Sequence, residues 1–116
     1  MKEGKWQEAA DSSERVLQVN PAGYPAAFYL NAMANLRLGR LDSAEKSGRD
    51  AMRLDNPQRN PRIAYVLGQV LAQKHEFHQS ADLLNAYLHA APNAPDAETV
   101  RRQLRDIEKL APAGAP

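Results

Sequence analysis

The sequence predicts an all-α fold, an α-α superhelix of about six helices, and three observations carry that prediction. The chain repeats itself about every 35 residues, because Gly4–Ala9 is answered by Gly39–Ala44 and more loosely by His75–Ser80. A proline follows each segment twelve or thirteen residues later. Each unit also contains stretches with helical apolar spacing. A period of this size is typical of stacked helical hairpins. The prolines are Pro21, Pro57 and Pro92.

Composition limits the classes of partner. The chain has 116 residues, with 15 Lys and Arg against 14 Asp and Glu, so its charge favours neither nucleic acid nor an anionic membrane. The length fits one domain. The absence of cysteine excludes disulfides, zinc thiolate sites and cysteine nucleophiles. Residues 1–15 contain no apolar segment typical of a signal peptide, and no apolar run approaches the roughly 20 residues of a membrane span. We therefore expect a soluble chain, and its compartment is not indicated.

The first three helices are predicted from apolar spacing and end signals. The first covers about residues 5–19. The second runs from Pro25 to about Leu38, and Gly39 supplies its left-handed end. The third opens with Asp42–Glu45, which has capping-box character, and continues to about Leu54. The face of the first helix holds Trp6, Ala9, Ala10, Ser13, Val16 and Leu17, and the predicted buried positions of the third are Leu41, Ala44, Ala51, Met52 and Leu54.

The last three helices follow the same logic. The fourth begins at Asn60–Pro61, a polar cap followed by proline, and runs to about Lys74. The fifth covers about residues 77–90. Residues 93–96 open the sixth, whose apolar face opposes a charged one, as expected of a terminal lid. Residues 111–116 are predicted to be a disordered tail. The apolar face of the sixth helix holds Ala97, Val100, Leu104, Ile107 and Ala111.

The pattern over about residues 4–92 resembles the tetratricopeptide (TPR) repeat family. That family places a large residue, then Leu-Gly, another large residue, a small residue opening the second helix, and a closing proline. The last unit reads Ala64, Leu67-Gly68, Leu71, Ser80, Leu84 and Pro92, the middle unit reads Phe28, Asn31-Ala32, Asn35, Ala44, Gly48 and Pro57, and the first unit keeps Ala9, Ser13 and Pro21.

The resemblance implies one repeat domain over residues 1–110. It divides into a half repeat at 4–23, repeats at 24–59 and 60–93, and a capping helix at 94–110. Pentatricopeptide and Sel1-like repeats are the main competitors. The former are usually basic RNA readers, and the latter often carry longer insertions and extra glycines; this chain shows neither feature.

Three positions depart from the family pattern. Asn31 and Asn35 stand where TPR units usually place leucine and an aromatic residue, and they lie one helical turn apart on one face. Two interpretations stay open: the amides pair inside a packing seam, since buried polar groups need partners, or they fix a peptide backbone in the groove. Gly48 replaces a bulky residue and is predicted to leave local space.

The resemblance implies a concave groove, lined by the first helix of each hairpin, that takes a protein or peptide partner. Tyrosine and arginine are frequent anchors at interfaces, and methionine repacks easily. Only Arg37 and Arg62 are basic candidates there, so the carboxylate clamp of chaperone-binding TPR proteins is not expected. The groove positions are Tyr29, Met33, Arg37, Arg62, Tyr65, Gln69 and Gln73, with Ala26, Leu36 and Val66 beside them.

Catalysis and metal binding are not expected. His75 falls at a predicted turn and His78 at the start of the fifth helix. On the predicted solvated face of that helix lies a stripe of His78, Asp82, Asn85 and His89. The sequence contains no phosphate-binding loop, nucleophile elbow or acid–base pair. We therefore predict a non-catalytic interaction module or scaffold that uses no cofactor and no metal.

The first unit lacks a partner helix, which leaves two further interpretations. Either the sequence is a fragment of a longer protein, or the uncovered helix pairs with another copy in a homodimer, and the two can coexist. In the second case the chain is a structural element that stacks end to end. A third hypothesis is a regulatory array attached to an enzyme or a secreted domain. The self-association positions are Trp6, Ala10 and Ser13.

Overall fold

The computed structural model describes residues 3–19, 25–55 and 60–111, and in these ranges it contains helices and no strand. The all-α prediction is confirmed, and the superhelical twist stays a prediction. Several predictions lie at or outside the limits of the described residues. They are the closing prolines Pro21 and Pro57, the repeat boundaries at 23/24 and 59/60, and the tail beyond residue 111. The helices are α1 (Glu3–Val19), α2 (Pro25–Arg37), α3 (Leu41–Leu54), α4 (Pro61–Gln73), α5 (Phe77–Ala90) and α6 (Ala97–Leu110).

The helices form a row of neighbours. Each helix packs on the next one in the chain, and α2 also contacts α4. The molecule measures 43 × 29 × 27 Å, so it is elongated along one axis. Among the described helices, none is both long and apolar enough to cross a membrane.

We name α2 and α3 the first hairpin and α4 and α5 the second hairpin. The turns that close these two hairpins share one geometry. After α2, Gly39 has φ 78°, and the backbone N–H groups of Gly39 and Arg40 donate to the carbonyls of Leu36 and Asn35 at 3.1 and 2.8 Å. This left-handed end was predicted for Gly39, and it is a Schellman motif. After α4, His75 takes the equivalent place with φ 64°. The matching bonds run from His75 N to Ala72 O at 3.1 Å and from Glu76 N to Leu71 O at 2.9 Å.

Glycines allow the close approach of helices at two places. A Cβ on Gly68 would lie 2.9 Å from Leu84 Cδ2, so α4 and α5 are in direct contact there. A Cβ on Gly48 would lie 3.2 Å from Leu67 Cδ1. The prediction that Gly48 leaves local space is therefore wrong, because Leu67 of α4 fills it.

The predicted capping box of α3 is wrong. The N-cap of α3 is Arg40, which makes no side-chain capping bond, and the helix begins at Leu41. The carboxylates of Asp42 and Glu45 instead accept hydrogen bonds from Lys74 Nζ, at 2.8 and 2.6 Å. These ion pairs join α3 to the end of α4, and the side chains are used between hairpins instead of at the cap.

The other predicted helix starts are placed correctly but are not capped by side chains. Asn60 is the N-cap of α4 and Pro61 its first residue, yet Asn60 makes no side-chain capping bond. Asp96 is the N-cap of α6, and its carboxylate accepts a hydrogen bond from the Tyr87 hydroxyl. Pro61 marks the start of α4, and the side chain of Asp96 joins α6 to α5 instead of capping α6.

Two clusters of buried apolar residues lie along the row. The repeat positions Ala64, Leu67 and Leu71 of α4 are buried, and so is the predicted apolar face of α6 except for Ala111, which is partly exposed. Val16 and Leu54, which were predicted to be inside, are each 40% exposed. Leu54 is the last residue of α3, and Val16 lies on a flank of α1 that no described helix covers. One cluster joins Ala64, Leu84, Tyr87, Val100, Leu104 and Ile107. The other joins Ala32, Leu36, Ala44, Val66 and Val70.

Candidate functional site

The predicted groove residues come together on the α2–α4 side of the molecule. Steps of four residues place the side chains from each helix on one face. They line a cleft of about 350 Å³ that Leu36 and Gly39 complete. We name this cleft the α2–α4 groove. Its members from the predicted set are Met33, Arg37, Tyr65, Gln69 and Gln73.

The two remaining predicted residues lie beside the groove. Burial raises the pKa of Tyr29, the charge of Arg62 opposes that effect, and Tyr65 adds to it. The Arg62 guanidinium lies 3.7 Å from a carboxylate oxygen of Asp96. The rings of Tyr65 and Tyr87 are 5.2 Å apart at 52°, a tilted aromatic contact. Tyr29, Tyr65 and Arg62 thus form a semi-buried patch at one end of the groove.

The Tyr87 hydroxyl is held in its protonated form. Burial, and then the hydrogen bond to Asp96, raises the pKa of Tyr87 to about 12. The hydroxyl therefore donates to the Asp96 carboxylate at neutral pH. Because Asp96 also pairs with Arg62, one carboxylate ties α4, α5 and the start of α6 together. Asp96 thus fixes the position of Arg62 beside the groove.

Polar side chains fix the walls of the groove. Gln69 and Gln103 exchange two hydrogen bonds of 2.7 Å, which link α4 to α6. At the other end, the Arg37 guanidinium carbon lies 5.8 Å from the centroid of the Trp6 ring, a cation–π contact. Arg37 and Gln73 are exposed at this rim. Their donors are in reach of a ligand in the groove.

Two of the three predicted self-association residues are inside the chain. Ala10 and Ser13 are buried against α2, where Asn31 Nδ2 donates to Ala10 O at 3.3 Å and to Ser13 Oγ at 3.1 Å. That part of the self-association prediction is wrong, because α2 already covers this face of α1. Trp6 is half-buried under Arg37. The exposed apolar side chains of α1 are Val16 and Val19, at 40% and 86%.

Asn31 and Asn35 form the amide pair predicted from their spacing. Asn31 Oδ1 accepts hydrogen bonds from Asn35 Nδ2 at 2.9 Å and from Ser47 Oγ at 2.6 Å. Ser13 Oγ donates to Ala9 O at 2.7 Å and accepts from Asn31. We name these four buried residues the polar seam: Ser13, Asn31, Asn35 and Ser47.

A second, larger cleft was not predicted. It has a volume of about 760 Å³, with α2 as its floor and α1 and α3 as its walls. We name it the α1–α3 cleft. The departures at Asn31 and Asn35 were its signal, because these residues stand where the second hairpin has Leu67 and Leu71. The floor holds Phe28, Asn31 and Asn35, and the charged wall residues are Asp11, Glu14, Arg40, Lys46, Asp50 and Arg53.

Two of the histidines contact residues that are close to them in the chain. The ring of His75 stacks on Phe77 with centroids 5.5 Å apart, and His89 Nδ1 lies 2.8 Å from the carbonyl of Asn85. His78 and Asp82 are exposed on α5. Among the described residues, no group of three or more His, Asp or Glu side chains is arranged to hold a metal ion.

Comparison with known proteins adds no further information. No family model, no curated protein and no solved structure matches this chain.

Proposed function

We propose that this chain is a non-catalytic interaction module of the TPR type, which holds a peptide or protein partner in the α2–α4 groove. The observation that carries the proposal is the convergence of Met33, Arg37 and Tyr65 at one cleft with two glutamine side chains. Aromatic, arginine and methionine side chains are enriched at protein interfaces. The amides of Gln69 and Gln73 supply donors and acceptors for a peptide backbone.

The charge at the groove favours one kind of partner. Arg37 is exposed at one end, and Arg62 is half-exposed beside the other. Asp96 offsets part of the charge of Arg62. The groove therefore suits a segment that places an acidic side chain near Arg37 and an apolar side chain against Met33 and Tyr65.

The test is site-specific crosslinking followed by affinity measurement. A photoreactive benzoylphenylalanine at Gln73, in the groove, is expected to capture a discrete partner. The same group at His78, exposed on α5, is the matched control and should not capture it. With the purified partner, Arg37→Glu should weaken binding by about tenfold or more, as expected for an interface anchor. Equal capture at both positions, or full affinity of Arg37→Glu, contradicts the proposal.

A second candidate is self-association through α1. Ala44 and Ala51 of α3 are wholly buried, whereas Ala9 and Val16, their counterparts in the repeat, are partly exposed. Val19 adds to the uncovered apolar flank. Light scattering over a concentration series should then show a dimer that Val16→Asp dissociates. A monomer at all concentrations rejects this candidate and leaves the groove proposal intact.

A further inference from the structure

We propose that the α1–α3 cleft is a second binding site, which takes an extended peptide segment of a partner protein carrying an acidic side chain. Asn35 Oδ1 accepts a backbone N–H of that segment. This site is separate from the α2–α4 groove, and the inference does not rest on the proposed function.

The orientation of the Asn35 amide is fixed by the protein. Its Nδ2 donates to Asn31 O at 3.0 Å and to Asn31 Oδ1 at 2.9 Å. Both of these partners are acceptors, so the nitrogen must face them. The oxygen of Asn35 consequently faces the other way.

That oxygen has no donor from any described residue, although Asn35 is only 5% exposed. Every described side-chain N or O atom that is fully shut off from solvent has a partner, so Asn35 Oδ1 keeps contact with solvent. Asn35 is one of the residues that line the α1–α3 cleft. Asn31 differs, because it both donates and accepts within the polar seam. Because Asn35 Oδ1 keeps contact with solvent and is not bonded by a described residue, this acceptor is available to a ligand N–H, which can replace a water at that position.

A solvent-accessible acceptor favours an extended segment over a helix, because it needs a donor that is still free. The backbone N–H groups inside a helix are already bonded to their own carbonyls. An extended chain keeps its N–H groups free to donate, as in strand-like peptide recognition. Asn35 and Phe28 are seven residues apart, about 10 Å along α2. An extended peptide of about four residues spans that floor at roughly 3.3 Å per residue.

The charges of the two walls differ in sign. The α1 wall carries Asp11 and Glu14. On the α3 wall, Lys46 and Arg53 share the single carboxylate of Asp50. The Lys46 side chain is 81% exposed, so its ammonium group can pair with a new carboxylate without being desolvated first.

Arg40 adds positive charge at the Asn35 end of the cleft, where its backbone N–H bonds Asn35 O at 2.8 Å. The opposite end is apolar, since Leu17, Phe28 and Leu54 line it. The occupant therefore places an acidic side chain towards α3 near Asn35 and an apolar side chain over Phe28. A volume of about 760 Å³ is sufficient for such a segment.

The cleft and the groove use opposite sides of α2. At 100° per residue, the cleft positions Phe28 and Asn35 lie roughly 150° around the helix from the groove position Met33. A variant in one site should therefore leave the other intact. Lys46→Glu and Arg37→Glu form a matched pair, because both reverse an exposed positive charge.

The test uses a displayed library of random heptapeptides, selected on the purified chain and counter-selected on Asn35→Leu. The enriched peptides are then synthesised with a fluorophore and titrated by fluorescence polarisation. We expect the enriched peptides to share an acidic residue, and the losses of affinity to be about five- to tenfold for Asn35→Leu and for Lys46→Glu. Arg37→Glu should bind these peptides as tightly as the wild type.

Three outcomes overturn the proposal: no enrichment, equal binding by wild type and Lys46→Glu, or a loss of affinity confined to Arg37→Glu. If Asn35→Leu does not fold, as thermal unfolding would show, Lys46→Glu decides the matter because Lys46 is an exposed surface residue. If no peptide binds the α1–α3 cleft while the crosslinker at Gln73 still captures a partner, the cleft proposal fails and the proposed function stands.

Discussion

The two hairpins share one backbone plan and differ in what they bury. Each closes through the same left-handed turn, at Gly39 and at His75. The first holds Asn31 and Asn35 at the positions where the second holds leucines. The first hairpin has an open polar cleft above these residues, and the second has a dry core. The repeat thus sets the course of the chain, and the side chains at these two positions distinguish a polar cleft from an apolar core.

The difference has an energetic consequence. Burial of leucine removes apolar surface from water, a gain that does not depend on orientation. The polar seam mainly replaces hydrogen bonds that its groups would make with water, so its net gain is smaller. Its value lies in fixed geometry, because each removed partner leaves another buried group unpaired. The second hairpin should therefore be the more stable of the two.

The largest expected effect comes from the apolar core. Leu71 is wholly buried, and Leu71→Ala should lower the free energy of unfolding by about 3 kcal/mol through lost burial and a residual cavity. Urea unfolding measures this loss. Leu110→Ala is the control, since that side chain is 59% exposed and should change stability by less than about 0.5 kcal/mol. Similar losses for both variants would show that the burial of Leu71 contributes no more to stability than an exposed leucine does.

The polar seam should respond as a coupled unit. Asn31→Leu alone removes the acceptor of Asn35 and Ser47 and should cost about 2 kcal/mol. The double variant Asn31→Leu/Asn35→Leu copies the second hairpin and should recover part of that loss. A double-mutant cycle in urea gives the coupling. Additive single effects would contradict the network.

The turns provide a smaller and symmetrical test. His75 has a positive φ, which is unfavourable for a residue with a Cβ, so His75→Gly should stabilise the protein by about 1 kcal/mol. Gly39→Ala should destabilise it by about the same amount, since Gly39 already occupies the left-handed region. Thermal unfolding of the two variants checks both signs. Destabilisation by His75→Gly would mean that the stack of His75 on Phe77 outweighs the backbone strain.

The smallest effect is the pH dependence of the ion pairs between the hairpins. Lys74 donates to Glu45 and holds the pKa of that carboxyl below its ordinary value of 4.5, with a further contribution from Arg49. A lowered folded pKa means stability that is present above the ordinary pKa and is lost as the pH falls through the folded value. Lys74→Met should therefore lower Tm slightly at neutral pH. The difference from wild type should shrink as the pH falls through the folded pKa of Glu45.

Thermal unfolding from about pH 7 to pH 3 measures this difference. Lys109→Met is the control for loss of a positive charge, because Lys109 is exposed on α6. A difference between wild type and Lys74→Met that is equal at all these pH values would show that the pairing with Glu45 contributes nothing.

Much of the backbone was predictable, because local signals determine it. The helix limits follow from apolar spacing and from end residues such as Gly39 and Pro61. The amide pair of Asn31 and Asn35 was also predictable, since their separation is one helical turn. Capping was not, because the carboxylates of Asp42 and Glu45 find a stronger partner, Lys74, that is distant in sequence.

The clefts show the same limit. The α2–α4 groove residues could be grouped from the repeat resemblance, since they fall at four-residue steps on two helices. The α1–α3 cleft was not grouped in this way, because it follows from the departures at Asn31 and Asn35, which the repeat pattern does not describe. The availability of Asn35 Oδ1 depends further on the orientation of the Asn35 amide, which is set by the positions of Asn31 O and Oδ1.

The most direct test of the contrast between the hairpins is native-state amide hydrogen exchange. Among the buried side chains of α2, in the first hairpin, only Leu36 is large and apolar, whereas α4 of the second hairpin buries Leu67, Leu71 and their neighbours. We predict that the amides of α2 exchange through an opening of distinctly lower free energy than those of α4, as expected where few apolar contacts hold an element. Equal protection of α2 and α4, through a single global unfolding, would contradict the account.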